Sequence, residues 1–398
     1  MPPSNFQLAG WTTRNHPSVM ERMLRGLSDP QMISFALGLP APELLPAKEF
    51  AVCLDRVLQK NAVSLQYQPP LRSLKSHIVR LMKTRGVETS EDNVFLTSGA
   101  QQGANLLVHL LLNVRGDVIL EEKTYTGFQQ ILKPFDPRIF VIPSLPNTGF
   151  DLEALSDLLA SGVRPTFFYT VADGHNPLSL NLDLVKRQSL IRLARAYKFP
   201  IIEDDPYGFL NYDEMPLPPL LALDSEFVLY VGTFSKILAP TLRTGWVIVP
   251  EELMRQLGSL KEAADINTAT LNQFLINEFF ETQDFTSHLL NLKTEYARRR
   301  NSLSEALIEK FQSFARWQNP ANGLFTWLEF PEWVDTEKLL EHALAYQKVA
   351  FIPGHLFNVS ESRAGSNCVR LNFTHARTET IFDGVGKIAS AIEEIGFR

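Results

Sequence analysis

Cysteines, long apolar runs and basic residues in excess are scarce or absent in this sequence. Its 398 residues include two cysteines, Cys53 and Cys368, which lie in neither a CxxC nor a CxxH spacing. We therefore expect no metal site and no disulfide framework, and we predict that both cysteines are packing residues in a reducing compartment. No apolar run reaches the ~20 residues that a membrane-spanning helix needs, and the N-terminus has no basic stretch followed by an apolar one. These absences predict a cytoplasmic protein without a membrane partner.

Two further absences narrow the function. The formal net charge is −6, which gives no basic footprint for nucleic acid. Neither a Walker A loop nor a GxGxxG stretch occurs in the chain, so the common phosphate-binding motifs of nucleotide enzymes are not found. A nucleic-acid partner is not expected.

The middle of the chain alternates short β-rich runs with amphipathic helical segments. The runs DNVFLTSG, GDVILEE, FPIIEDD and EFVLYVGT are β-rich, and LDLVKRQSLIRLARAYKF is a typical helical segment. This βαβ pattern indicates a mostly parallel sheet covered by helices. From about residue 251 the pattern becomes long and helical and then mixed. We predict an α/β fold with a large domain at 51–285, a small α+β domain at 286–398, and an N-terminal segment, 1–50, that belongs to the small domain or forms a lid.

One lysine, Lys236, follows a strand-like run in VLYVGTFSKILAPTLRTGW. Ligands of open α/β sheets bind where such strands end, but by residue type alone a lysine there is most often a solvated charge. The neighbours favour a ligand. Thr233 and Ser235 offer hydroxyl groups, and Arg243 offers a fork of donors that suits a phosphate monoester.

Two other segments complete a pattern. LTSGAQQGANLL runs from a strand into a helix, so free N–H groups near Ala100 and Gln101 would meet the same phosphate. FPIIEDDPYGFL ends a strand in Glu203, Asp204 and Asp205, a cluster that alone is equally typical of a solvated turn. A lysine that forms a Schiff base, a phosphate cradle and a carboxylate for a protonated pyridine nitrogen are together what pyridoxal phosphate requires of a protein.

These motifs resemble those of the fold type I pyridoxal-phosphate enzymes, aminotransferase class I and II. The resemblance covers nearly the whole chain and depends on a series of stretches in the family's order: ISFALGLPAPELLP, LQYQPP, LTSGAQQG, EKTYTG, GHNP, IIEDDPYG, TFSKILAPTLRTGW and VRLNFTHA. It implies a mixed, mostly parallel sheet of the seven-stranded type, pyridoxal 5′-phosphate as cofactor and a small-molecule L-α-amino acid as substrate. Because family members build their sites at a dimer interface, it also implies a homodimer.

The resemblance also assigns roles to single residues. Lys236 would hold the cofactor as a Schiff base and, once displaced, would take the Cα proton of the substrate. Arg370 would bind the substrate carboxylate as a bidentate partner beside Gly38 and Asn176. The cofactor contacts would be Asp204 at the pyridine nitrogen, Tyr207 (also catalytic) and Asn176 at the phenolic oxygen, Tyr125 on the ring, Ala100, Gln101, Thr233, Ser235 and Arg243 at the phosphate, and Tyr67 at the phosphate of a neighbouring subunit. Core packing is the alternative for Tyr67 and Tyr125.

Three stretches depart from the family pattern, and by the resemblance they would line or support the substrate pocket. In YTVADGHNPLSLNL, Ala172 replaces a proline, and Leu178 and Ser179 replace Thr-Gly. YQPPLRSLK lacks the usual glycines after Tyr67. Lys123 takes the usual proline position in EKTYTG. The string DGHNPL is similar to a subgroup that cyclises hydroxylated arginines to capreomycidine-type or enduracididine-type amino acids.

Membership of that subgroup would give the loop its own chemistry. Asp173 would then bind a guanidinium group and His175 would be a second acid or base, although His175 is equally suited to pack near the cofactor and orient Asn176. We favour the cyclising dehydration of a hydroxylated arginine. The alternative is ordinary transamination of an apolar or aromatic amino acid, and a remote third hypothesis is the non-catalytic effector-binding domain of a transcription regulator.

The polar N-terminal tract WTTRNHPS has two interpretations. Its polar residues, Thr12 and Asn15 among them, suit the start of the first predicted helix. Alternatively, the tract is part of a lid whose polar groups bind a hydrophilic substrate side chain and exclude water.

Overall fold

The computed structural model describes residues 6–12, 29, 31–212, 215–360 and 362–396. Its strands are β1 (Ile33–Ser34), β2 (Val94–Thr97), β3 (Asp117–Glu121), β4 (Arg138–Ile142), β5 (Ser144–Leu145), β6 (Gly149–Phe150), β7 (Phe168–Thr170), β8 (Ile201–Asp204), β9 (Val228–Thr233), β10 (Gly245–Ile248), β11 (Arg316–Trp317), β12 (Phe325–Glu329), β13 (Val349–Ala350), β14 (Ile352–Pro353) and β15 (Cys368–Asn372). Its α-helices are α1 (Ala47–Lys60), α2 (Arg72–Lys83), α3 (Ala100–Leu111), α4 (Thr126–Leu132), α5 (Leu152–Ala160), α6 (Leu184–Tyr197), α7 (Leu220–Leu223), α8 (Met254–Asp265), α9 (Thr270–Thr282), α10 (Phe285–Phe311), α11 (Thr336–His342) and α12 (Thr378–Ile395).

The large sheet contains seven strands in the order β2-β10-β9-β8-β7-β3-β4. Every neighbouring pair is parallel except the two that involve β10, which runs antiparallel to β2 and to β9. Both β8 and β9 are buried at every position, as expected of parallel strands covered on both faces. The predicted α/β fold with a mostly parallel seven-stranded sheet is confirmed, and the C-terminal ends of β7, β8 and β9 meet at one edge.

A second sheet is built from the C-terminal part of the chain. Its four strands lie in the order β11-β12-β15-β14, and each pair of neighbouring strands is antiparallel. The N-terminal part joins it, because β1 pairs in parallel with β13 and the Asn372 amide donates to the Phe35 carbonyl at 2.7 Å. The bounds 1–50, 51–285 and 286–398 themselves stay a prediction.

Two simple observations concern the described residues as a whole. None of their helices combines the length and the apolarity needed to cross a membrane. Cys53 and Cys368 are both buried and free. Their burial is consistent with the packing role predicted for them.

Candidate active site

A cavity of about 520 Å³ opens at the C-terminal edge of the large sheet. Its walls come from both sheets and from the segment that follows β1. The predicted site residues that line it are Gly38, Ala100, Gln101, Tyr125, Asn176, Asp204, Tyr207, Thr233, Ser235, Lys236, Arg243 and Arg370. The fold therefore gathers into one cavity residues that lie up to several hundred positions apart in the sequence.

One end of the cavity has the donors of an anion site. Ala100 begins helix α3, where the first N–H groups of a helix have no intrahelical acceptor. The Thr233 hydroxyl donates to the Ser235 hydroxyl at 2.9 Å. Gly99 has φ = 87°, and a Cβ atom there would lie 2.5 Å from Nη2 of Arg243. Only glycine therefore lets the arginine approach the helix start, and the hydroxyls, amides and guanidinium together suit a phosphate.

Asp204 is the last residue of β8, and its two carboxylate oxygens differ in their hydrogen bonds to the described residues. Its Oδ2 accepts a hydrogen bond from the Tyr169 hydroxyl at 2.8 Å. Its buried Oδ1 has no hydrogen-bond partner among the described residues. Burial raises the pKa of Asp204 to about 6, against the opposing effect of the Tyr169 bond. A buried acceptor without a donor fits the protonated nitrogen of a pyridine ring.

Tyr169 is a site residue that the sequence analysis missed. It lies on β7 beside β8, in register with Ile202. The tyrosine hydroxyl at the end of the aromatic run FFY was the available signal, because a buried tyrosine usually hydrogen-bonds a partner.

The two acids that flank Asp204 are buried rather than solvated. The Glu203 carboxylate accepts from the backbone amides of Leu220 and Leu221 at 2.7 and 2.9 Å, at the start of α7. Burial raises the pKa of Glu203 to about 8. Asp205 accepts from the Tyr230 hydroxyl at 2.9 Å. The solvated-turn alternative for this cluster is therefore wrong.

The side chain of Lys236 lines the cavity. Its Nζ donates to the Gly38 carbonyl at 2.7 Å. Burial, with the positive charges of Arg370 and Arg243, lowers the pKa of Lys236 to about 8. An amine with that pKa is partly neutral near physiological pH, which is the form that attacks a carbonyl or takes a proton.

Arg370 lies on β15 and is held on several sides. Its Nη1 donates to the Asn176 side-chain oxygen at 2.7 Å, and its Nη2 donates to the Ala36 carbonyl at 2.5 Å. Its Cζ lies 3.9 Å from the ring centroid of Phe325 and 4.9 Å from that of Phe357. Burial lowers the pKa of Arg370 to about 10, so the guanidinium is still charged at neutral pH and suits a carboxylate.

Two tyrosines complete the polar wall. Tyr207 is hydrogen-bonded to the Asn176 side chain and packs edge-on against Phe325, with ring centroids 5.9 Å apart. Burial raises the pKa of Tyr207 and of Tyr125. Both phenols are therefore protonated at neutral pH and can donate hydrogen bonds.

The comparison with known protein families decides the identity of this site. The profile described as aminotransferase class I and II matches residues 47–386. The chain belongs to this family. It is an enzyme of the pyridoxal-phosphate-dependent aminotransferases, and its cofactor is pyridoxal 5′-phosphate.

Several aminotransferases match this chain along almost its whole length. Aromatic-amino-acid aminotransferase 1 of Thermococcus litoralis is 33% identical over 386 residues, which cover 95% of this chain and 92% of that protein. The 2-aminoadipate transaminase of Thermus thermophilus is 32% identical and covers 96% and 95%. The solved α-aminoadipate aminotransferase of Thermus thermophilus, complexed with N-(5′-phosphopyridoxyl)-L-leucine, superposes with a TM-score of 0.90 at 30% identity and covers 98% and 97%.

The residues of this aminotransferase-family site fit the cofactor. The buried Asp204 Oδ1 lacks a donor among the described residues, and the anion cradle lies in the same cavity as the Lys236 amine. The three relatives named above are all aminotransferases by name. The arginine-cyclase subgroup gains no support from them, and ordinary transamination fits them better.

Asp173 and His175, which were predicted to face the substrate, do not line the cavity. The Asp173 carboxylate accepts from Nη2 of Arg85 at 2.9 Å and from Nη2 of Arg187 at 2.6 Å. Nε2 of His175 lies 3.2 Å from Oε2 of Glu121, and both residues are buried. This placement corrects the expectation that they face the substrate, because the guanidinium groups beside Asp173 belong to the chain itself and the His175 ring is turned toward β3.

Three further predictions concern Tyr67, Thr12 and Asn15. Tyr67 is 72% exposed and does not line the cavity. The alternative that Tyr67 packs in the core is therefore wrong. Its contact with a neighbouring subunit stays a prediction. The Thr12 hydroxyl donates to the Ala9 carbonyl at 2.7 Å in a local turn. Asn15 lies outside the described residues, and the lid hypothesis stays a prediction.

The apolar wall of the cavity also escaped the sequence analysis. The residues that form it are Leu37, Leu39, Phe325, Ile352 and Phe357. They come from three separate parts of the chain, which only the pairing of β1 with β13 and the four-stranded sheet bring together. No local sequence pattern could have grouped them.

The raised pKa of Asp204 predicts a stability effect in the cofactor-free protein. Folding raises the pKa of the Asp204 carboxyl from 3.8 to about 6. This shift lowers the free energy of unfolding as the pH rises through that range, by up to about 3 kcal/mol. Asp204→Asn should therefore stabilise the cofactor-free protein at pH 7.5 and much less at pH 4.5, as measured by urea unfolding. Asp157→Asn, on an exposed position of α5, should change little. An equal gain at both pH values would contradict the shift.

Proposed function

We propose that the protein transfers the amino group of an apolar or aromatic L-α-amino acid to a 2-oxo acid. The observation that carries this proposal is the apolar wall beside the polar groups, which includes Leu37, Phe325 and Phe357. Apolar side chains bind by removing their surface from water, at about 25 cal/mol per Å². A pocket with such a wall favours a substrate side chain without charge.

The distribution of positive charge supports the same substrate class. Three basic residues line the cavity in the described part of the chain: Lys236, Arg243 and Arg370. Arg243 lies at the phosphate end, and Lys236 is the amine that would hold the cofactor. Arg370 is then committed to the α-carboxylate. No described lining residue is left to pair with an acidic substrate side chain, whose buried charge would be costly.

In the proposed amino-group transfer, each polar residue of the cavity has a separate role. Pyridoxal phosphate, when bound, supplies a carbonyl that condenses with amines and a ring that accepts the electrons released at Cα. Asp204 keeps a proton on the pyridine nitrogen, and Arg370 holds the substrate carboxylate so that Cα faces Lys236. The Lys236 amine is partly neutral because of its lowered pKa, and it would carry the Cα proton of the substrate to the cofactor carbon that receives the amino group. Tyr207 donates a hydrogen bond beside Asn176.

The names of the relatives cover both apolar and acidic substrates. One relative is named for aromatic amino acids. The solved neighbour that holds a phosphopyridoxyl adduct of leucine is named for α-aminoadipate. Another is named for 2-aminoadipate, which carries a second carboxylate. A direct comparison of apolar and acidic substrates is therefore the decisive measurement.

The expected result is stoichiometric oxo-acid formation from phenylalanine or leucine with 2-oxoglutarate as acceptor, followed by mass spectrometry. Catalytic efficiency with 2-aminoadipate should be lower, because its side-chain carboxylate lacks a partner. A hydroxylated arginine assayed without acceptor serves as the control for cyclisation. A product lighter by one water that retains its α-amino group, without oxo acid from any apolar substrate, would overturn the proposal.

We also propose that the enzyme is a homodimer whose sites are shared. Exposed apolar residues beside α1 support this proposal, since Leu65 and Tyr67 are 70% and 72% exposed. Large exposed apolar side chains that lie together are typical of an interface. Tyr67 would then reach the phosphate bound by the partner subunit.

A further inference from the structure

The loop that follows β3 is joined to the loop that precedes β15 by a short ladder of hydrogen bonds. The Val359 amide donates to the Glu122 carbonyl at 3.0 Å, and the Thr124 amide donates to the Phe357 carbonyl at 3.0 Å. Lys123 and Asn358 face each other between these two bonds as an isolated antiparallel bridge. We call this contact of residues 122–124 with 357–359 the junction.

A buried lysine occupies the centre of the junction. Lys123 is 8% exposed, and its Nζ donates to the Asn358 side-chain oxygen at 2.8 Å and lies 3.5 Å from the Glu122 carboxylate. The Asn358 Nδ2 in turn donates to the carbonyls of Ser362 and Ala364 at 2.6 and 2.9 Å. Through Asn358, the Lys123 amine thus links the carbonyls of Ser362 and Ala364 to the end of the large sheet.

The junction borders the apolar wall of the cavity. Phe357 is 2% exposed and lines the cavity, with its ring centroid 4.9 Å from Cζ of Arg370. On the other side of the junction, Tyr125 also lines the cavity. A shift of the 357–359 segment would therefore move a ring that contacts both the carboxylate-binding guanidinium and the place of the substrate side chain.

Lys123 costs free energy at this position. A buried ammonium has to be paired to offset its lost hydration, and the usual proline of the family would bury no charge but would also donate no hydrogen bond. The polar pairing with Asn358 therefore stands where a proline would cost less free energy, at the centre of the junction. Such a pairing fixes geometry rather than adding stability.

We propose that Lys123 is a positioning residue that holds Phe357 against Arg370 and thereby determines the preference of the pocket for large apolar side chains. The proposal rests on the proposed function, since it assumes that the apolar wall receives the substrate side chain. Lys123 itself does not line the cavity and takes no part in proton transfer.

The test compares two unreactive carboxylates in the cofactor-loaded protein. 3-Phenylpropanoate carries an aromatic side chain and propanoate does not, and their dissociation constants are measured by calorimetric titration. Loss of one buried hydrogen bond should weaken binding of 3-phenylpropanoate by about tenfold in Lys123→Met, with a much smaller change for propanoate. Asn358→Leu should give the same selective loss, and the double variant should be no worse than either single one.

Controls separate positioning from simple destabilisation. Lys48→Met removes an exposed lysine and should leave both dissociation constants unchanged. Equal weakening of both carboxylates in Lys123→Met, or unchanged binding of 3-phenylpropanoate, would overturn the proposal. If Lys123→Met yields no folded protein, Lys123→Gln is judged by the same ratio of the two constants.

The outcomes also distinguish this proposal from the proposed function. A parent enzyme that binds 3-phenylpropanoate no better than propanoate and forms no oxo acid from phenylalanine would contradict the proposed function. A selective parent enzyme whose selectivity survives Lys123→Met would contradict the role of Lys123 alone.

Discussion

Lys236→Ala should lower turnover by at least about 10⁴-fold, because the amine serves both as the covalent attachment of the cofactor and as the base at Cα. Its position supports both roles, since Nζ lies 2.7 Å from the Gly38 carbonyl inside the cavity and burial holds its pKa at about 8. Borohydride reduction followed by peptide mass spectrometry should place the cofactor on Lys236 in the parent enzyme and on no lysine in the variant.

A second buried lysine provides the control for this experiment. Lys261 is 5% exposed and pairs with Asp265 on α8, and it does not line the cavity. Lys261→Ala should leave the cofactor attached at Lys236 after reduction. Attachment to any other lysine in the parent enzyme, or turnover in Lys236→Ala within about tenfold of the parent value, would contradict the assignment.

The cofactor side of this site was accessible from sequence because its parts are local. Thr233, Ser235, Lys236 and Arg243 occupy one stretch that begins at the end of β9. Strand ends of an open α/β sheet are where ligands bind, so residue type and position together predicted a phosphate site there, and the family resemblance supplied the roles of single residues. The fold class followed from the same alternation of strands and helices.

The substrate side was not accessible in this way. Asp173 and His175 lie in the altered loop that also carries Asn176, yet only Asn176 lines the cavity. Which side of an irregular loop faces a pocket depends on distant partners. Asp173 pairs with Arg187, 14 positions later, and with Arg85, 88 positions earlier in the chain, and no spacing rule connects Asp173 with Arg85.

The Arg85 network predicts the largest effect on stability. Arg85 donates to Asp205 at 3.0 Å and to Asp173 at 2.9 Å, and its side chain is 3% exposed. Burial alone would lower the pKa of Arg85, but the charges of Asp205 and Asp173 reverse this effect and raise it. The guanidinium therefore joins the loop before Asn176 to the residue after Asp204, and it balances two buried carboxylates.

Arg85→Met should lower the free energy of unfolding by about 3–5 kcal/mol, because it keeps the bulk of the side chain while leaving buried carboxylate charge unpaired. Urea unfolding of the cofactor-loaded protein at a fixed concentration of pyridoxal phosphate measures the change. Arg72→Met is the matched control, since Arg72 is exposed and its contacts to Glu91 and Asp92 are 3.6 Å long. It should change stability by no more than about 0.5 kcal/mol.

A double variant tests whether unpaired charge is the cause. Asp205 loses its guanidinium in Arg85→Met, whereas Asp173 keeps Arg187 at 2.6 Å. Adding Asp205→Asn removes the unpaired carboxylate and should restore part of the lost free energy of unfolding. The recovery should be partial, because the Tyr230 hydroxyl then donates to a neutral amide oxygen instead of a charged carboxylate. A loss below about 1 kcal/mol in Arg85→Met, or a double variant less stable than the single one, would show that the network does not hold the loop and the strand end together by charge.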